Sequence, residues 1–172
     1  MTVWNRLQAR VGTGGILIAA VIVAALAFIV GSAVQTAAPA TGSISAGSRF
    51  SCTVTSVYDG DGPINCSEVD AGGKPISVRL RGIEARESDN SCRRDKLCPS
   101  ASGAEAKAVL TGLAVGRLDC VSNGPSYNNV DARCIAPTGA DISCEMVRSG
   151  TAVRWPEYDR EGRLLGCMPG KS

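Results

Sequence analysis

Phe50, Cys52 and Val54 alternate with Ser51, Thr53 and Thr55, the two-residue period of a strand with one buried face. The phase slips at Ser56-Val57, which predicts a bulge just before Asp59. Ile64-Asn65-Cys66 reads as a short return strand between two turns, Asp59-Gly60-Asp61-Gly62-Pro63 and Ala71-Gly72-Gly73-Lys74-Pro75. Ile76, Val78 and Leu80 then alternate with Ser77, Arg79 and Arg81, so a third strand turns both arginines away from the core. Glu84 to Ala101 reads as a long polar loop carrying Cys92 and Cys98. A helix follows, opened by a capping box of Ser102 with Glu105, striped by Ala106, Val109, Leu110 and Leu113, and stopped at Gly116. Arg117 to Val121 and Val130 to Ala136 predict two more strands across a loop of Ser122 to Ser126. That pairing makes Cys120 and Cys134 neighbours and theirs the first disulfide expected. A second helix runs from about Asp141 to Ser149 with Ile142, Met146 and Val147 inward, and the tail from Thr151 has no convincing period.

Ahead of this alternating region the pattern changes entirely. No charged residue occurs from Val11 to Ser48, and Ile16 to Val30 is unbroken apolar sequence. At about 1.5 Å of helical rise per residue, positions 11–34 suffice to cross a hydrocarbon core of about 30 Å. Arg6 and Arg10 precede that segment and no charge closely follows it, which places the N-terminus on the cytoplasmic side. The reading taken is a cytoplasmic segment 1–10, an uncleaved transmembrane anchor 11–34 in preference to a cleaved signal, a flexible tether 35–48 rich in Ala, Thr, Ser and Gly, and an exported domain 49–172, periplasmic or extracellular and expected to be monomeric.

All eight cysteines lie in that last region, and an even number beyond a membrane signal reads as disulfides in an oxidising compartment. The chain has no histidine, which excludes Ser-His and Cys-His nucleophile pairs and weakens a zinc reading. Arg6 and Arg10 account for the whole +2 charge, so the exported part is neutral; a strong non-specific polyanion footprint would show a basic excess. Five short strands with a helix after the third and a closing helix predict an α+β fold, a five-stranded Greek-key barrel of OB type with two or three helices.

The chemistry concentrates in two stretches, Val57-Tyr58-Asp59-Gly60-Asp61 and Val78-Arg79-Leu80-Arg81-Gly82-Ile83-Glu84-Ala85-Arg86-Glu87. Taken in order with Tyr127, Ala132, Cys134 and Met146-Val147-Arg148-x-Gly150-x-Ala152, they resemble the staphylococcal nuclease (thermonuclease) family over roughly Phe50 to Tyr158. The resemblance implies an OB-fold phosphodiesterase that cuts DNA or RNA with Ca²⁺ and leaves 3′-phosphates. It puts Asp61 and Glu84 on the metal-binding carboxylates, with the Ala85 carbonyl as a third oxygen, Arg79 on the first phosphate-clamping arginine and Glu87 on the general base. Asp59 falls beside the metal, as an outer-shell or purely structural group. Tyr127 and Tyr158, with Trp155, fall where the family stacks bases, and the same aromatics read equally as core.

The sequence also departs from the family pattern. Glu84 stands for an aspartate, Gly62 for a threonine, and Ala85-Arg86 for a segment stiffened by proline. Asn129 stands where the second catalytic arginine belongs, and an asparagine carries no charge for a bidentate clamp. Arg86 and Arg133 are the two substitutes considered. The expected function is therefore an anchored or exported, Ca²⁺-dependent nuclease attenuated at Asn129. The alternative is a catalytically inactive domain of the same family that binds nucleic acid or another envelope ligand.

Overall fold

A computed structural model of the chain describes residues 43–93 and 97–169. The expected segments 1–10 and 11–34, and the tether as far as residue 42, lie outside the described residues. Among the described residues no helix is long and apolar enough to cross a membrane.

Five strands close into a barrel: β1 (Arg49–Val57), β2 (Ile64–Val69), β3 (Pro75–Leu80), β5 (Arg117–Ser126) and β6 (Asn129–Ile135), in spatial order β1-β2-β3-β6-β5 with β5 returning to β1. All neighbours are antiparallel except β3 and β6. A closed barrel with this one parallel pair and two helices is OB-like, as the alternation predicted. Cys52, Ile64, Cys66, Val78, Leu80, Leu118, Cys120, Ala132 and Cys134 fill its interior, and the pairing of β1 with β2 slips between Val54 and Ser56, close to the expected bulge.

Four differences from the sequence reading have local causes. The polar loop begins later than expected, because Ile83–Ala85 forms a short strand, β4, that pairs with β7 (Ala152–Arg154) outside the barrel. Three residues give too short a run for a period to be read, and Glu84 in the middle of it looks polar while being wholly buried. The loop expected at Ser122 to Ser126 is instead the second half of β5, which turns only at Tyr127-Asn128; Gly124 and Pro125 sit beside a bulge rather than ending the strand. The last residues of the tether already belong to the fold. The Gly47 N–H donates to Ser122 O at 2.8 Å, the Ser122 N–H donates to Ser48 O at 2.9 Å, and Ile44 packs against the core. The tail contributes β7 and two single 3₁₀ turns, at Pro156–Tyr158 and Leu165–Cys167.

The first helix keeps its expected cap, and the second is capped by the residue at which it was expected to begin. In α1 (Gly103–Leu113) Ser102 and Glu105 form the capping box, with Ala106 and Leu110 buried. In α2 (Ile142–Arg148) Asp141 accepts from the Cys144 N–H, and Ile142, Met146 and Val147 are buried. Disulfides join Cys52 to Cys66, Cys92 to Cys98, Cys120 to Cys134 and Cys144 to Cys167, so no cysteine is free.

Candidate functional site

The β1–β2 turn folds back on the end of β3, where the Leu80 N–H donates to Asp61 O at 2.9 Å. This contact carries the Asp61 side chain to Arg79, whose Nη2 donates to Asp61 Oδ2 at 2.6 Å and reaches Glu84 Oε2 at 3.5 Å. Gly62 makes the approach possible. Its φ is +109°, and a Cβ there would stand 2.6 Å from Val78 O, so the threonine of the family pattern has no room in this turn.

Glu84 comes from β4, and its second oxygen, Oε1, accepts the Arg93 N–H at 3.3 Å. Glu87 follows two residues beyond the strand and accepts from Arg93 Nε at 2.7 Å. The Glu87 backbone is held by the helix behind it. A Cβ on Gly103 would lie 2.0 Å from Glu87 O, and the Gly103 N–H donates to Asn90 Oδ1 at 2.9 Å, so the start of α1 presses directly on this loop. Ala85 is buried and paired with Ala152. Asp59, also buried, accepts the Asp61 N–H at 3.3 Å. Asp61, Arg79, Glu84 and Glu87 are thus neighbours, joined by Asp59 and Arg93.

Four carboxyl groups here face two guanidinium groups, a deficit of positive charge around the buried Asp59, Asp61 and Glu84. Burial raises the proton affinity of Asp61 well above its ordinary value; Arg79 opposes the shift while Asp59 and Glu84 reinforce it. Burial also raises Glu84 against the Arg93 N–H and Arg79, and raises Asp59 with help from the charge of Glu87. For Arg93 burial works against the charge, but the hydrogen bond and charge of Glu87 outweigh it and hold the guanidinium protonated more firmly than usual.

Among the described residues no three Asp, Glu, Cys or His side chains converge as ligands of one ion. Two carboxylates do converge on Arg79 Nη2, all their donor atoms are hard oxygens, and the cluster lacks positive charge. That donor set fits a hard cation such as Ca²⁺ completed by backbone and water oxygens.

In front of the cluster opens a cleft of about 510 Å³ lined by Arg79, Arg93, Tyr127, Asn129, Trp155 and Tyr158 among others. Tyr127 is fully exposed at the tip of the β5–β6 hairpin, with φ +52°. Tyr158 is partly exposed, edge-on to Trp155 with ring centroids 4.7 Å apart and within 5.9 Å of the Arg81 guanidinium. These aromatics rim the cleft and are not core. No protein-family model and no curated protein matches the chain.

Neither substitute considered for the missing arginine reaches the cleft. Arg86 is held by Pro99 O at 2.9 Å and Asn90 O at 2.7 Å, and Arg133 pairs with Asp141 at 2.7 Å on the outer face of β6. Sequence reasoning missed Arg93, because nothing in a polar loop without a period says where its arginines point. It also missed Asp159, which binds Arg154 Nε at 2.6 Å and accepts the Arg163 and Leu164 N–H groups, fixing the backbone beside Tyr158.

Proposed function

We propose that the domain is a metal-dependent phosphodiesterase acting on single-stranded DNA or RNA, exported from the cytoplasm and tethered to the membrane by residues 11–34. The observation that carries this reading is the buried Asp61–Arg79–Glu84 cluster with Glu87 beside it, opening on an aromatic-rimmed cleft. The resemblance of its ordered motifs to those of staphylococcal nucleases supports it. Four disulfides and no free cysteine suit an oxidising compartment.

In this reading Arg79 donates to a non-bridging phosphate oxygen and stabilises the negative charge that grows there as water attacks. Glu87 takes the proton of the attacking water; the new O–P bond forms as the bond from phosphorus to the 5′ oxygen breaks, and that oxygen takes a proton from solvent. Asp61 and Glu84 would hold the cation, which when bound neutralises charge on the phosphate and lowers the pKa of its bound water. Tyr127 and Tyr158 offer faces for the flanking bases, a sequence-tolerant grip suited to single strands. The neutral charge of the domain assigns most of the affinity to this local site.

Asn129 and the Arg93–Glu87 pair favour the second reading, a domain that binds oligonucleotides and cuts them slowly or not at all. The two separate on one assay. The full chain, disulfides intact, should cleave single-stranded DNA or RNA with Ca²⁺ and lose that activity with a chelator or with Asp61→Asn. Binding without cleavage in any divalent metal establishes the silent reading, and neither binding nor cleavage removes both.

A further inference from the structure

Two arginines line the cleft, and the second is not the one the motif pattern anticipates. Arg79 comes from β3, whereas Arg93 comes from the loop after β4 and stands in the same wall. Asn129, at the start of β6, lines the same cleft without charge. We infer that Arg93 binds the substrate phosphate beside Arg79, supplying from a loop the second positive charge that Asn129 does not supply from the barrel. The inference rests on the phosphodiesterase reading of this site.

Three observations carry it. Arg93 is anchored at two points, its backbone N–H on Glu84 Oε1 at 3.3 Å and its Nε on Glu87 Oε1 at 2.7 Å, so its place is tied to the two carboxylates that matter most. Its neighbour Cys92 is bonded to Cys98, a covalent tie one residue from Arg93. The side chain is also 45% exposed, enough to meet a ligand, while a guanidinium that gives one N–H to Glu87 has four more to donate in its planar fork. Arg86 and Arg133 are committed elsewhere, so among the arginines weighed for the role Arg93 is the one in position.

The test must separate a phosphate contact from mere neutralisation of Glu87. A fluorescein-labelled single-stranded deoxythymidylate decamer would be titrated by anisotropy onto the full chain, in EDTA and in Ca²⁺, across a salt series. Wild type, Arg79→Ala, Arg93→Ala, Arg93→Lys and the double variant Arg93→Ala with Glu87→Gln are compared, each checked by its melting curve. Arg93→Ala should weaken binding on the order of tenfold and flatten the slope of log K against log salt by about 0.7, the increment for one phosphate contact on a single strand. Arg93→Lys should restore the slope and part of the affinity. The double variant, in which both members of the pair are neutral, should stay weak.

Wild-type binding in the double variant would overturn the inference by showing that Arg93 only masks Glu87. So would wild-type affinity and slope in Arg93→Ala while Arg79→Ala loses binding, and in that case the reading of the site survives. If the wild type binds no oligonucleotide in either condition, the reading itself fails and takes the inference with it.

Discussion

Asp61 is a carboxyl only 2% exposed, with burial opposing its charge and Arg79 favouring it. Its proton affinity is raised, and so is that of Glu84. A carboxyl raised in the folded state contributes its full stabilisation below the ordinary carboxylate range, and loses it as pH climbs through the raised value. Without metal these two carboxyls should therefore favour the folded domain more at acid than at neutral pH, and Asp61→Asn should remove part of that dependence from the melting temperature. A difference in melting temperature between wild type and Asp61→Asn that does not change with pH would contradict the account of the buried cluster. Ca²⁺ should raise the melting temperature most at neutral pH, where it replaces the missing positive charge. Arg79→Ala should cost on the order of 10² to 10³ in cleavage rate, the usual loss for a transition-state donor. If Arg93 supplies the second charge, Asn129→Arg should do little in the wild type and restore most of the rate lost in Arg93→Ala.

At the scale of elements, close backbone approaches at Gly62 and Gly103 bring together the segments whose side chains then pair as Asp61–Arg79–Glu84 and Arg93–Glu87. The Gly103 end of α1 presses against Glu87 O, so Gly103→Ala should push the loop away, destabilising the domain by about 1–3 kcal/mol and weakening cleavage more than the stability change explains; circular dichroism melts and kcat would separate the two. Where the chain repeats a period, its elements were legible. The alternation of β1 and β3 and the Ser102–Glu105 box stand where the sequence pattern put them. The Cys120–Cys134 bridge followed from two strands read as partners, and Cys120 and Cys134 are indeed opposite one another. What could not be read were the pieces that owe their form to distant partners. Ile83–Ala85 is a strand only because Ala152–Arg154 lies beside it, and Arg93 reaches the cleft only because Glu84 and Glu87 hold it. Of the candidate site, the motif named Asp61, Arg79, Glu84 and Glu87, which the fold makes neighbours, while the partnership of Arg93 with Glu84 and Glu87 was not legible.

The whole domain is built with little aromatic material. Aromatic residues make up 4% of the chain, and none is among the largest fully buried side chains. Two disulfides lie inside the barrel, and a third ties α2 to the tail at Cys167, covalent closure where hydrophobic closure is thin. Cys120→Ala with Cys134→Ala should therefore cost about 2–5 kcal/mol in denaturant unfolding, with the barrel retained in the folded fraction. The same chemistry suits export, and thiol titration of the unfolded, unreduced chain should find no free cysteine.

The measurement that bears most directly on this account is the single-turnover rate at which the full chain, with Ca²⁺ and intact disulfides, cleaves a labelled single-stranded oligonucleotide, set against Glu87→Gln. A metal-dependent rate that falls by on the order of 10² or more in the variant is the expected result. Equal rates in the two proteins, or cleavage untouched by chelator, would contradict it.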